Sequence, residues 1–258
     1  MIKTLVQGLP SCWQGSATLC LLPSLSIAMG GVRQENGLPL VFQVALYGLS
    51  QSGKTAFSGR PARVVQEFLA RNDNDYRDAI ELKEIGSSTI ADDELGCPRV
   101  LSFSETSTVQ LMKYLKYAGE RTVMCYEGDL SHTIGGDKSS FLNIQPLLRK
   151  GFDGENVVID YKSADSFRGA LSPRLSFLAI GTPGPILKYF NGDSTSEGNT
   201  RRVILVEHQM VMKNMLFKEY SDEQMRYIHS ELEWLETLKK KVYHEKIEQS
   251  ALAWRSTK

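Results

Sequence analysis

The sequence predicts an α/β fold: a mostly parallel sheet flanked by helices, with an N-terminal helical segment and a long C-terminal helix. Short apolar runs rich in β-branched residues alternate with stretches of helical spacing, as in parallel α/β proteins. The chain of 258 residues, 41% hydrophobic and 23% charged, is long enough to bury a sizeable core without disulfides or metals. This composition excludes wholesale disorder and collagen-like or coiled-coil architectures.

Three segments are predicted along the chain. Residues 1–36 form an N-terminal helical segment, which we expect to break at the Gly30-Gly31 pair. Residues 37–210 form the core domain, and residues 211–258 form a C-terminal helical extension. The extension is predicted to contain one amphipathic helix over 221–249, because it opens with a Ser-Asp-Glu-Gln capping sequence and continues with helical apolar spacing.

The predicted core alternates strands and helices. Its apolar runs are predicted to be strands over 40–47, 99–103, 122–126, 175–180 and 202–206. Helices are predicted over 54–72, 104–118 and 141–152. Pro61 lies inside the first of these helices and marks either a kink or the start of a second helix. Ser104 or Thr106 is the expected N-cap of the helix over 104–118.

The charge balance and the cysteines limit the partners. Thirty Lys and Arg residues match thirty Asp and Glu residues, so affinity for nucleic acid must come from a local patch or an assembled ring.

The four cysteines have no metal-binding spacing, and we expect free thiols in a reducing compartment. No apolar run is long enough to cross a membrane, and the lack of a targeting segment predicts a cytoplasmic location.

The strongest motif is Gly-Leu-Ser-Gln-Ser-Gly-Lys-Thr at residues 48–55, which fits the phosphate-binding pattern G-x-x-x-x-G-K-[ST] in full. A strand is predicted before it and a helix after it. Glycines let the backbone wrap a phosphate, and successive N–H groups then form an anion site at a helix N-terminus. Lys54 can reach the β- and γ-phosphates of ATP, and the Thr55 hydroxyl can ligate Mg²⁺. The predicted nucleotide-binding residues are Gly48, Ser50, Gln51, Ser52, Gly53, Lys54, Thr55 and Ala56.

Hydrolysis also needs an acidic partner. Glu127 and Asp129 follow the third predicted strand, and carboxylates at the carboxyl end of a parallel strand face a phosphate-binding loop. One of them can hold Mg²⁺ or its water, and the other can orient the attacking water. A polar turn is the alternative interpretation. The acidic run at 92–94 ranks lower because no clear strand precedes it.

Polar residues near the last two strands are further candidates. Thr182 follows the fourth strand and could sense the γ-phosphate, although a simple Gly-Thr-Pro-Gly turn explains the same residues. Arg201 and Arg202 precede the fifth strand, and one of them could act as an arginine finger on a neighbouring subunit, the alternative being a surface ion pair. The histidines lack ligand or base spacing and are assigned structural or surface roles: His132, His208, His229 and His244.

In their order and spacing, these motifs resemble an uncharacterised class of bacterial P-loop ATPases, catalogued as a domain of unknown function. Its members occur in mobile elements and phage-like replication proteins, often beside primase-type domains. The resemblance covers roughly residues 17–210. The segments that carry it are 47–58, 126–131 (similar to the family's E-x-D-T-L), 147–152 (L-R-K-A-F), 173–183 (P-x-L-S…G-T-P) and 197–202 (E-N-G-L-x-S-R-F).

The resemblance implies a RecA/AAA-like ATPase core related to replicative or primase-associated helicases. It assigns Glu127 the water-orienting role, and it aligns Arg202 with the family's single Arg. Many relatives have Asp immediately before the Glu, where this chain has Tyr126, so Asp129 would substitute in holding Mg²⁺. No primase-like catalytic domain is present in the sequence, so priming would fall to a partner.

The predicted function is an ATP-hydrolysing helicase or translocase of a mobile-element or phage-like replication system. We expect a homo-oligomer that binds single-stranded DNA and works beside a primase or another replication protein. Basic residues such as Lys113, Lys116 and Arg121, or the lysine run at 239–241, would face a shared channel. The main alternative is a non-motor, nucleotide-controlled switch or assembly module that binds a protein through the C-terminal helix. A small-molecule or nucleoside kinase is a third hypothesis, for which no arginine-rich lid is evident.

Overall fold

A computed structural model gives the fold, and it describes residues 1–30, 32–34, 37–91, 94–102, 106–119, 121–127, 145–160, 168–190, 199–210 and 219–238. The helices within these ranges are α1 (Ile2–Val6), α2 (Ser11–Ala28), α3 (Arg60–Leu69), α4 (Asp73–Glu84), α5 (Thr108–Ala118), α6 (Gln145–Asp153), α7 (Pro183–Phe190) and α8 (Asp222–Thr237). The strands are β1 (Gln43–Tyr47), β2 (Val100–Ser102), β3 (Val123–Glu127), β4 (Val157–Asp160), β5 (Arg168–Leu171), β6 (Leu175–Gly181) and β7 (Ile204–Glu207).

Five of the strands form one parallel sheet in the order β2-β3-β6-β1-β7. The five predicted strands are these five, and the mostly parallel α/β architecture is confirmed. The register sets Tyr47 at the end of β1 opposite Gly181 of β6 and Glu207 of β7. The sequence did not predict the separate antiparallel pair of β4 and β5.

Helices cover both faces of the sheet. Apolar residues of α1, α2, α3 and α8 pack on one face, and those of α5, α6 and α7 pack on the other. Strand β6 lies between the two layers: Phe177 and Ala179 point to one core, and Leu178 and Ile180 point to the other. Burial on both faces explains why this strand has a nearly continuous apolar sequence instead of an alternating one.

Helix α2 is an integral layer of the core. Its residues Ala17, Leu21 and Leu25 belong to the same buried cluster as Val44 of β1. The serines that interrupt its apolar run are also buried, and Ser26 Oγ is 2.7 Å from Ser176 Oγ on β6. Paired hydroxyl groups of this kind can be buried without leaving an unsatisfied donor. Within the described ranges, no helix combines the length and hydrophobicity that a membrane span requires.

The helix predicted over 54–72 is shorter in the structure. It begins at Arg60, with Pro61 in its first turn, so Pro61 marks a helix start, and the prediction of helix over 54–59 is wrong. Proline has no N–H and its ring excludes the preceding helical turn, so the helix cannot extend back to Lys54. The Gly59 N–H instead bonds to the Lys54 carbonyl at 2.8 Å. A short 3₁₀ turn and α4, which the sequence did not predict, follow α3.

The other predicted helices also shift at their ends. The N-cap of α5 is Ser107, whose hydroxyl accepts from Gln110 N at 3.1 Å, and neither Ser104 nor Thr106 has that role. Helix α8 begins with the expected capping box and ends at Thr237, because Leu238 adopts an extended backbone and lines a cavity. The prediction of an uninterrupted helix over 221–249 is therefore wrong, and residues 239–258 lie outside the described ranges.

Candidate functional site

The 48–55 loop starts at the end of β1, where the helices that follow two neighbouring strands go to opposite faces of the sheet. Strand β1 leads to α3 on one face of the sheet, and the neighbouring β6 leads to α7 on the other. The carboxyl ends of two such strands flank a crevice, which is where open α/β sheets bind ligands. The Gly48 N–H donates to the Gly181 carbonyl at 3.2 Å and fixes the loop at this crevice.

The backbone of the loop is curled. Gln51 and Gly53 both have positive φ values, of 61° and 80°. Alternation of left- and right-handed residues turns successive N–H groups towards one side, which is the geometry of an anion-binding nest. Two glycines are required by space: a Cβ at Gly53 would lie 2.7 Å from the Phe57 ring, and one at Gly48 would lie 2.9 Å from the His208 carbonyl oxygen.

The predicted phosphate-binding side chains lie on a single turn, since α3 starts later in the chain. The Phe57 N–H donates to the Gly53 carbonyl at 2.8 Å and closes this turn. Lys54 Nζ folds back over the loop and donates to the Leu49 carbonyl at 3.2 Å. Thr55 is half-buried beside it, and Ala56 is exposed.

The Ser52 hydroxyl is a buried polar group without a hydrogen-bond partner among the described residues. Ser52 is 7% exposed, and its Oγ has no hydrogen-bond partner within the part of the chain that the structure describes. A buried hydroxyl without a partner costs about 1–3 kcal/mol, which a phosphate oxygen would relieve by accepting its proton. The loop thus combines a curled backbone with a buried hydroxyl that could donate to an anion.

The acidic and polar candidates lie at the same edge of the sheet. Glu127 ends β3, and its backbone pairs with Ala179 of β6. Since β6 separates β3 from β1, Glu127 is two strand spacings, roughly 10 Å, from the strand that leads into the loop. Thr182 directly follows β6, and its carbonyl accepts from Ile186 N at 3.3 Å at the start of α7. Asp129 lies outside the described residues.

The two arginines lie at the opposite, amino-terminal edge, because they precede the parallel strand β7. Arg202 Nε and Nη2 donate to the two carboxylate oxygens of Asp153, at 2.8 and 2.6 Å. The hydrogen bond to Asp153 raises the pKa of Arg202 above its ordinary value. Arg201 is exposed. Neither residue reaches the 48–55 loop of its own chain, so a finger role requires a neighbouring subunit.

The two adjacent arginines allow a matched comparison. Arg202→Ala should lower the free energy of unfolding by about 1–3 kcal/mol, because it leaves Asp153 without its bidentate partner. Arg201→Ala should change it by less than about 0.5 kcal/mol, as for an exposed residue. Urea denaturation followed by circular dichroism measures both. Equal effects of the two substitutions would contradict a structural role for the Arg202–Asp153 pair.

His208 is the site residue that sequence reasoning missed. It follows β7 at the same edge as the loop and is 3% exposed. Its Nε2 is 2.9 Å from the Ser52 carbonyl oxygen, and its Nδ1 is 3.0 Å from Ser58 Oγ. Burial lowers the pKa of His208, the Ser52 hydrogen bond partly opposes this, and the Lys54 charge lowers it further. The sequence feature that could have indicated His208 is its position directly after a core strand, because its spacing from the other histidines contains no information.

A cavity of about 360 Å³ lies at the opposite edge of the sheet, beside the starts of β2 and β3. Arg33, Arg99 and Arg121 line it together with Glu236. Glu236 pairs with Arg99 and also with Arg71, the latter at 3.0 Å. The cavity thus combines guanidinium groups with an apolar wall that includes Ile27 and Leu238, and it is separate from the 48–55 loop.

The four cysteines are free, as expected. Three of them are buried, and burial raises the pKa of Cys20 to about 12, so its thiol stays protonated. The described residues contain no group of three or more His, Cys, Asp or Glu side chains that could hold a metal ion.

Comparison with known proteins gives matches among solved structures and none among families or curated sequences. No protein-family model matches the chain, and no curated protein matches its sequence. A solved structure that the chain resembles is the A form of the apo C-terminal region of NrS-1, at 12% identity and a TM-score of 0.34. The match covers 96% of this chain and 49% of that one, so the chain spans about half the length of the matched structure. The assignment to the α/β class therefore rests on the observed sheet and its flanking helices, and not on this match.

Proposed function

We propose that the chain is an ATP-binding and hydrolysing P-loop NTPase of the RecA/AAA-like kind. The observation that carries this proposal is the 48–55 loop, whose curled backbone and unpartnered Ser52 hydroxyl lie at the crevice between β1 and β6. A phosphate bound there would meet N–H groups, a hydroxyl and a lysine in one place.

The proposed roles follow from the positions of the described residues and, for Asp129, from its place in the sequence alone. Lys54 exchanges the Leu49 carbonyl for the β- and γ-phosphates, and Thr55 and Asp129 hold the metal. Glu127 orients the attacking water from the end of β3, and Thr182 senses the γ-phosphate from the end of β6. Bound Mg²⁺ would neutralise charge that develops on the phosphate oxygens.

We further propose that the chain acts as a helicase or translocase on single-stranded DNA and that it works as a homo-oligomer. An arginine at the far edge of the sheet can complete a site only in a neighbouring subunit, which favours assembly. Arg33, Arg99 and Arg121 line the cavity, and DNA phosphates bound there would compete with Glu236 for Arg99 and with the Gly30 and Val32 carbonyls for Arg33. A replication system of a mobile element or phage, with a primase as partner, is the context that the sequence resemblance suggests.

One observation favours the alternative of a nucleotide-controlled module that binds a protein. Tyr227 and Trp234 on α8 are 44% and 57% exposed. They lie seven residues apart, which places them on the same face of the helix, two turns from each other. Exposed aromatic side chains of this kind commonly anchor protein interfaces.

The deciding experiment measures ATP hydrolysis by the full chain with Mg²⁺, with and without single-stranded DNA. We expect turnover that rises with DNA and is lost in Lys54→Ala, because the lysine contacts the transferred phosphate. Lys3→Ala is the matched control, since Lys3 lies on the exposed side of α1 far from the loop.

Each result separates the candidates. Tight ATP binding without turnover in either condition would contradict the motor and favour the switch. Absence of ATP binding by the wild-type chain would contradict both. Turnover that persists in Lys54→Ala would assign the activity to another site or a contaminant.

A further inference from the structure

We propose that His208 is a positioning residue of the 48–55 loop. It fixes the loop through the Ser52 carbonyl and connects it, through Ser58 and Ser16, to helix α2. Nucleotide occupancy at the loop would then be transmitted to the N-terminal helix. The inference rests on the proposed binding of ATP by the loop.

Both ring nitrogens of His208 form hydrogen bonds: Nε2 bonds to the loop, and Nδ1 bonds to the turn that follows it. A carbonyl oxygen only accepts hydrogen bonds, so Nε2 must carry the proton that bonds to the Ser52 carbonyl. In the neutral ring, Nδ1 then accepts from the Ser58 hydroxyl at 3.0 Å. The two bonds hold residues 52 and 58 at fixed distances from one rigid ring. The two bonds are therefore on either side of the segment that contains Lys54 and Thr55.

Packing locks the orientation of the ring. The His208 ring stacks on Trp13 of α2, with centroids 4.9 Å apart and planes 26° apart. The Trp13 Nε1–H donates to the Gln209 carbonyl at 2.8 Å, which fixes the indole against the chain beside His208. The Phe57 ring contacts the same indole, with centroids 4.7 Å apart. Rotation of the imidazole would break this stack as well as both hydrogen bonds.

The connection to α2 is continuous. The Ser58 proton bonds to His208 Nδ1, so the Ser16 hydroxyl of α2 donates to Ser58 Oγ, 2.9 Å away, and not to the Trp13 carbonyl oxygen, which lies equally near. Ser58 is completely buried, so water cannot replace its partners. Helix α2 in turn forms part of the core against β1. A displacement of the Ser52 carbonyl on phosphate binding must therefore move the His208 ring, the Trp13 indole, or both.

Lys54 is the charged group that acts on His208. It lies on the loop, whereas α2 presents Trp13 and Ser16 to the ring, and Tyr47 of β1 contributes a backbone carbonyl to the His208 N–H at 2.7 Å. The lowered pKa means that the ring is neutral at pH 7, which matches the tautomer required by the Ser52 carbonyl. Phosphate binding would draw the Lys54 charge away from the ring and alter its titration.

The first test measures ATP affinity by calorimetry. His208→Phe keeps the aromatic ring that stacks on Trp13 but loses both hydrogen bonds, and it should weaken ATP binding about tenfold, because the loop would no longer be preorganised. His208→Gln should recover most of the affinity, since its amide can donate to the Ser52 carbonyl. His229→Phe is the matched control, because His229 stacks on Phe68 of α3, away from the loop.

The second test reads the coupling from Trp13 fluorescence in a Trp234→Phe/Trp254→Phe background. Protonation of the stacked imidazole should quench the indole, with a midpoint below about pH 6.5, the ordinary value for His. ATP should shift that midpoint in the wild-type background, and both effects should be absent in His208→Phe. Far-UV circular dichroism confirms that each variant is folded.

The outcomes separate this inference from the proposed function. If wild type binds ATP and His208→Phe binds it equally well, the positioning role is wrong and the proposed function stands. If ATP leaves the Trp13 titration unchanged, the connection to α2 is wrong. If wild type does not bind ATP, the proposed function fails, and this inference fails with it. If His208→Phe does not fold, Ser58→Ala carries the affinity test, because it removes only the hydrogen bond to Nδ1, and unchanged ATP affinity there would overturn the positioning role.

Discussion

Glu127→Gln is expected to lower the rate of ATP hydrolysis by about 100-fold or more, while ATP affinity changes by less than about threefold. Glutamine keeps the shape of the side chain but cannot take up a proton or carry the negative charge that orients water. Glu127 ends β3, with β6 between it and the strand that leads into the loop, so the proposed function gives it a role in hydrolysis and not in holding the phosphates. Single-turnover hydrolysis beside calorimetric ATP binding measures the two effects separately.

Glu207→Gln provides the matched comparison. Glu207 ends β7, which is on the other side of β1, and its side chain is exposed. We expect this substitution to leave hydrolysis within about twofold of wild type. Loss of activity in Glu207→Gln alone would transfer the acidic role to β7. Equal retention of activity in both variants would contradict a carboxylate at a strand end as the water-orienting group.

Phe177→Ala is expected to lower the free energy of unfolding by about 3–5 kcal/mol. Phe177 lies in the central strand β6 and is completely buried in the cluster that includes Leu111, Leu115 and Leu148. Removing its ring loses apolar contact and leaves a cavity that the packed helices on that face cannot fill. Domains commonly have about 5–15 kcal/mol of stability in total, so this is a large share.

Urea denaturation followed by circular dichroism measures this change. Val158→Ala is the control, because Val158 of β4 is 78% exposed and should contribute less than about 0.5 kcal/mol. A loss below about 1 kcal/mol in Phe177→Ala would contradict the position of β6 at the centre of the core. A large loss in Val158→Ala would mean that β4 is covered in solution.

The regular elements of the core were predictable because local patterns determine them. Strands β1, β3 and β6 are apolar runs bounded by turn residues, and burial on both faces of the sheet requires such runs. The start of α8 was predictable from its capping box, which is a local hydrogen-bond pattern. Element ends were less predictable: α3 begins after the Pro61 constraint, and α8 ends where Leu238 turns into a cavity.

The candidate site likewise has one part that the local sequence predicts and another part that depends on the tertiary structure. The sequence by itself determined the 48–55 loop, because a phosphate nest needs glycines and a lysine at fixed spacing along one segment. Only the tertiary structure decided what surrounds that loop. Parallel strand order brings Glu127 and Thr182 to its edge, sends Arg201 and Arg202 to the opposite edge, and places His208 beneath it. Strand order and helix packing join residues that are far apart in the chain, and no local spacing encodes those contacts.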